Sequence, residues 1–202
     1  APETEFLRLS QNNATQDEQT IWNDQAPTSS VFYVGTESTV NGNGNNCIAY
    51  CFTEKKGYSK FGTYTGTGSA TTVGHGLGGA PELIFIKNRS SGSTGTSDWV
   101  VGTQYAIFEH DGSDPWTDYG HLDTTGNFAD LNTKWNDTAP NANNFTIGTH
   151  NRVNKSSDNY VFYAFRSVPG VCKVGSYVGN GSTTDGPYIY TGFRPRWIFI
   201  KN

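Results

Sequence analysis

Four histidines, His75, His110, His121 and His150, and one acidic run, Glu109-His110-Asp111-Gly112-Ser113-Asp114, have the side chains best suited to proton transfer or metal binding. Asp111 and Asp114 with nearby carbonyls could hold Ca²⁺, but the twelve-residue loop with its closing Glu is missing. The run reads as a solvated loop. His75 lies in the glycine-rich stretch Val73-Gly74-His75-Gly76-Leu77-Gly78, with no helix behind it, so a tight turn is expected there and not an anion cradle. The chain holds no Gly-x-Ser-x-Gly, phosphate-binding loop, Cys-x-x-Cys or His-Glu-x-x-His. Paired acids for glycoside hydrolysis are wanting too. Asp24 and Asp137 precede Ala-Pro and read as turn formers. The sequence therefore predicts no enzyme, no catalytic residue, no metal site and no cofactor.

The elements that would position any site follow from an internal repeat. Trp22-Asn23-Asp24-Gln25-Ala26-Pro27 returns 113 positions later as Trp135-Asn136-Asp137-Thr138-Ala139-Pro140. Between 22 and 71, 21 of 50 residues recur identically at that offset. One inserted residue later, Ile84-Phe85-Ile86-Lys87-Asn88 returns as Ile198-Phe199-Ile200-Lys201-Asn202. A period of 113 residues is too long for a solenoid unit and suits a whole small domain. At the same offset His121 falls on Arg8 and His150 on Glu37, which argues against a histidine that serves the repeat itself.

Short aromatic and β-branched runs dominate the chain. Strands are predicted at Ser30–Val34, Cys47–Phe52, Lys60–Thr65, Leu83–Lys87, Trp99–Val101, Phe145–Ile147, Tyr160–Phe165, Val174–Val178 and Trp197–Ile200. Gly, Asn, Ser and Pro clusters separate them. Ala14–Trp22 could make one short helix. The class is all-β, and the unit expected is a sandwich or jelly roll. With a boundary near Gly57, the chain holds one complete domain, 57–169, flanked by two complementary parts of a repeat, 1–56 and 170–202. Leu83–Ile86 and Tyr160–Phe165 are apolar on consecutive positions, so both faces of their sheet should be covered.

Net charge is −4 and no basic cluster exists, so nucleic acid is not an expected partner. No apolar run is long enough to span a bilayer. Charged residues make up 16% and aromatics 14%, a balance that fits an extracellular β protein and not a disordered one. The chain has no Met and opens on Ala1-Pro2-Glu3, which suggests a removed leader or a segment of something longer. Cys47 and Cys51, four apart on one strand, stand ~13 Å apart and cannot bond to each other. They read as small buried hydrophobes, with a bridge from Cys172 to one of them across a junction as the alternative.

Several strings carry a family resemblance. They are Tyr58-Ser59-Lys60-Phe61-Gly62-Thr63-Tyr64-Thr65-Gly66, the Val73–Gly78 stretch with Pro81-Glu82, Trp135–Pro140, and Gly186-Pro187-Tyr188-Ile189-Tyr190-Thr191-Gly192-Phe193-Arg194-Pro195. Together they resemble an uncharacterised β-rich repeat domain of tail-fibre and other structural proteins of aquatic bacteriophages and of some bacterial surface proteins. The resemblance implies a lectin-like β-sandwich and a structural or adhesive role at an extracellular or virion surface. It implies no catalytic residues.

The predicted function is a structural repeat protein that forms a fibre by head-to-tail completion of β-domains, its principal partner being itself. Trp197, Ile198, Phe199 and Ile200 are the expected subunit interface, because exposure would leave four large apolar side chains in water. The alternative is a receptor- or glycan-binding module of a tail fibre, with a cell-surface glycan stacked on Tyr188, Tyr190 and Phe193 beside Arg194. A depolymerase is a distant third. Asn13, Asn88, Asn136, Asn144, Asn154 and Asn180 carry the Asn-x-Ser/Thr triplet and are candidate glycosylation sites.

Overall fold

A computed structural model describes residues 4–93, 95–106 and 116–201. His110 and the acidic run Glu109–Asp114 lie outside the described residues. The first part of the chain carries β1 (Glu5–Phe6), β2 (Gln16–Asp17), α1 (Gln19–Trp22) and α2 (Ser38–Asn41). There follow β3 (Ser59–Thr65), β4 (Thr71–Gly74), β5 (Leu83–Asn88), β6 (Val100–Thr103), β7 (Asp118–His121) and β8 (Ala129–Asp130). The last elements are α3 (Asn132–Trp135), β9 (Asn144–Ile147), α4 (Asn151–Asn154) and β10 (Asn159–Phe165). The protein is β-rich, and its helices are single turns.

A six-stranded sheet in the order β3-β10-β5-β6-β7-β8 is antiparallel throughout, and β4 and β9 form a second, two-stranded sheet. Alternation along β10 decides which face is the core: Tyr160, Phe162 and Ala164 are buried, while Val161, Tyr163 and Phe165 point the other way and are half-buried. Ile84, Ile86 and Val100 join them from neighbouring strands, and Val73, Phe145 and Ile147 reach in from the small sheet. Phe145 meets Phe162 edge-on at 5.2 Å between ring centroids. Gly102 is needed where it is: a Cβ there would lie 2.4 Å from the ring of Trp135.

The stretch 5–41 repeats the backbone of 118–154 almost bond for bond. The pairs Glu5↔Asp17 and Phe6↔Gln16 copy Asp118↔Asp130 and Tyr119↔Ala129. Helices α1 and α3 both end on a left-handed Asn, Asn23 and Asn136, whose N–H returns to the carbonyl four residues back. The amide of Gly35 donates to Ile21 as that of Gly148 does to Lys134, and the Asn41 side chain donates to the Gly35 carbonyl as Asn154 does to that of Gly148. The equivalence begins at residue 5, well before the identities that start at Trp22.

Four predicted strands, Ser30–Val34, Cys47–Phe52, Val174–Val178 and Trp197–Ile200, are not strands in this chain. Their intact counterparts are β9, β10, β3 and β5, each held by a sheet neighbour. An extended segment with no strand beside it leaves its peptide groups to water and forms no ladder.

Candidate functional site

Once the repeat is mapped onto the structure, the exposed apolar residues fall into a pattern. Phe145, Ile147, Ile84 and Ile86 are completely buried in the intact unit. Their counterparts Phe32, Val34, Ile198 and Ile200 are 45%, 38%, 67% and 62% exposed. Tyr64 packs face to face on Tyr160, whereas its counterpart Tyr177 stands in solvent. Trp135 is buried in the core, and Trp22, on the same local backbone, is only half-buried. Each flank therefore carries core residues without a core. The chain exposes 12000 Å² of surface where a compact 22.0 kDa protein would expose roughly 9,300 Å².

The second face of the large sheet is also apolar. Phe61, Tyr163, Phe165 and Phe85 form a floor of rings with centroids 5.5–6.1 Å apart along the row. The flanks supply its partial cover: Phe52 lies 6.0 Å from Phe165, and Phe199 lies 6.2 Å from Phe85. Phe52 and Trp197, from opposite ends of the sequence, meet at 6.0 Å, and Tyr50 meets Trp197 at 5.7 Å.

The two junctions are copies of one turn. Lys55 bridges Ser59 and Val168 bridges Cys172, each with its glycine, Gly57 or Gly170, at positive φ. They leave the intact unit side by side, because Ser59 and Phe165 are paired and the amide of Arg166 donates to the Tyr58 carbonyl.

Of the expected interface, Trp197, Ile198, Phe199 and Ile200 are all partly to largely exposed, with the Phe199 ring against Phe85 of the floor and the Trp197 ring against Tyr50 and Phe52. Tyr188 and Tyr190 are almost wholly exposed, Phe193 is half-buried and Arg194 exposed, all on one stretch without strand or helix. Asn13, Asn136 and Asn180 are exposed, and Asn144 is half-buried on β9. Asn88 and Asn154 correct the glycosylation expectation, since both are buried and bonded. The Asn88 amide donates to Asp158 at 2.8 Å, and that of Asn154 to Ser69 and Gly148 at 2.7 Å. The reading of Cys47 and Cys51 as small buried hydrophobes does not hold in this chain, where both are exposed. They sit on the segment that does not form a strand, and their counterparts Tyr160 and Ala164 are core residues.

His75 is buried in its turn, accepting from the Leu77 amide through Nδ1 and bonding the Asn141 carbonyl through Nε2, each at 3.0 Å. It fastens two loops. His121 and His150 belong to a polar cluster that sequence spacing does not reveal, because its members come from five separate segments. Asp98 takes both Nε and Nη2 of Arg152, at 2.6 and 2.5 Å. Lys134 is fully buried on α3, with its ammonium 4.5 Å above the Tyr119 ring and no hydrogen-bond partner among the described residues. Burial lowers its pKa to about 7, with Arg152 adding to the effect. Burial likewise lowers His121 and His150 to about 4 and Lys87 to about 8. Lys87 donates to the carbonyls of Asn88 and Asn12. The segment around Asn12 lies over this cluster, with Trp99 bonding the Arg8 carbonyl and Arg89 pairing with Glu5. Lys87, Asp98 and Lys134 of the cluster are buried and His121, His150 and Arg152 half-buried, so it fastens elements together, whereas the flanks present apolar side chains to solvent.

Among the described residues no helix is long and apolar enough to cross a membrane, and no group of three or more His, Cys, Asp or Glu could hold a metal ion. A family model described as a domain of unknown function (DUF7483) matches the chain twice, over residues 1–71 and 63–202. No curated protein and no solved structure matches it.

Proposed function

We propose, for a chain that belongs to this domain-of-unknown-function family (DUF7483), a structural role: a β-sandwich repeat that builds a fibre at an extracellular or virion surface. In this proposal 57–169 is the complete repeat, and 1–56 and 170–202 are halves closed by complementary halves of a neighbouring copy. One observation carries it: residues buried in the intact repeat recur in both flanks at equivalent positions and stand in water there. Fully burying one exposed side chain of this size stabilises by about 1.5–3 kcal/mol, and Phe32, Val34, Ile198 and Ile200 would each supply part of that on closure of the halves. Strand pairing along an open edge would then set register, as in strand addition between subunits.

A second reading draws on a different surface. Tyr188 and Tyr190 are almost wholly exposed on one loop, a platform on which a sugar ring of a receptor glycan would stack. Glycan-array binding that is lost in Tyr188→Ala/Tyr190→Ala, with assembly unchanged, would favour it. For the structural role, electron microscopy and scattering mass at rising protein concentration are the test. Particles with an axial repeat support it, and a monomer at every concentration removes it.

A further inference from the structure

Strand pairing puts the start and end of the intact repeat at one pole. Ser59 opens β3, Phe165 closes β10, and the two residues are directly paired. Each then runs into the same five-residue turn, 55–59 before it and 168–172 after it. A chain that enters and leaves a domain side by side places both of its neighbours at the same pole. It brings the preceding repeat and the following repeat together.

The side chains at that pole fit such a meeting. Tyr58 stands 6.2 Å from Phe165, and Cys172 is close enough to help raise its hydroxyl pKa beyond what burial does. Phe52 from the preceding repeat and Trp197 from the following one are 6.0 Å apart, and Trp197 stacks on Phe199 at 6.1 Å. Both flanks rest on Phe165 and Phe85 of the repeat between them.

We propose that this aromatic joint is a contact between next-nearest repeats, in which each intact repeat acts as a clip that holds its two neighbours against one another over the outer face of its large sheet. The proposal rests on the repeat reading above. It adds the partner of that face, namely the flanking repeats of the same chain, and it makes an array fold back at every junction.

The native cysteines report on it. Cys51 precedes Phe52 in the chain and Cys172 closes the turn that follows β10, next to the paired turn at 55–59, so a short bismaleimide should join Cys51 to Cys172 in the full chain. At about micromolar protein, two sites on one chain see each other at an effective concentration on the order of millimolar, so the product should be intrachain and insensitive to dilution. Peptide mapping by mass spectrometry identifies it. Phe52→Ala/Trp197→Ala, which takes the two rings out of the joint while leaving the intact repeat's own residues unchanged, should lower the intrachain yield severalfold. Far-ultraviolet circular dichroism of that variant should match the parent.

A crosslink found only between chains overturns the joint while leaving assembly through the halves standing. An intrachain crosslink whose yield is unchanged in the double variant also overturns it. An intrachain crosslink lost in the double variant, in a protein that never assembles, supports the joint and removes the fibre.

Discussion

Gly35 and Gly148, one repeat apart, press on the same carbonyl in the two copies: a methyl group on either would stand 2.1 Å from the oxygen of Thr20 or 2.2 Å from that of Thr133. A loop crossing so close over a helical turn is a local device, formed alike whether or not a core lies beneath it. That makes the pair a probe of what the core adds. Gly148→Ala should overpack a site backed by Trp135 and destabilise the intact repeat by about 1–3 kcal/mol. Gly35→Ala should leave the main unfolding transition unchanged in urea denaturation. Equal losses at both sites would mean that the flank shares the stability of the intact unit.

Trp135 is enclosed by Trp116 at 5.4 Å and Phe145 at 6.5 Å between ring centroids, whereas Trp22 is half-buried. Trp135→Ala is expected to cost ~3–5 kcal/mol through the cavity it leaves. Trp22→Ala should cost clearly less in the dilute chain. If the halves close upon assembly, the penalty at Trp22 should grow with protein concentration.

Asn154 joins three segments: its amide donates to the carbonyls of Ser69 and Gly148, and its oxygen accepts the Thr67 amide at 2.7 Å. Asn154→Ala would strand those buried groups, each at about 1–3 kcal/mol. Asn41, its counterpart, keeps the bond to Gly35, but among the described residues it holds no second segment, so Asn41→Ala should be mild. Thermal melts of the two variants check this.

Lys134, His121 and His150 all have folded pKa values below their ordinary ones, so between the folded and unfolded values the unfolded chain holds more protons and stability rises with pH. For the histidines that window runs from about 4 to 6.5, and stability should fall on acidification through it. For Lys134 it runs from about 7 upward to the lysine range near 10.4. Lys134→Met should raise Tm at pH 6, by roughly 2–4 °C for each kcal/mol recovered, and should flatten the rise above pH 7. A lower Tm in that variant would show that the buried ammonium has a stabilising partner.

Much of this was legible because the chain prints its own control. The Trp22/Trp135 identity marks two stretches of like backbone, the short aromatic and β-branched runs marked β3, β5, β9 and β10, and consecutive apolar positions at Leu83–Ile86 and Tyr160–Phe165 pointed to an apolar second face, over which Phe52 and Phe199 lie. Strand propensity misled at Cys47–Phe52 and Trp197–Ile200, because propensity describes a side chain and a strand needs a neighbour. The buried cysteines failed for the same reason. The β3/β10 register adds a point about them. Ala164 faces the core and Ser59 pairs with Phe165 on the other face, so Cys51 and Cys172, their counterparts, would lie on opposite faces of a closed sheet and could not bond. The polar cluster of Asp98, His121, Lys134 and Arg152 gave no sequence signal, since only the topology brings those segments together.

The most direct measurement is the scattering mass of the full chain against that of a deletion lacking 197–202, followed from dilute to concentrated solution with electron microscopy at the top of the series. Closure of halves between copies predicts mass growing with concentration and ending in filaments for the full chain. The deletion should stay monomeric with the intact repeat 57–169 still folded. A full chain that remains a monomer throughout, or a deletion that assembles equally well, would contradict it.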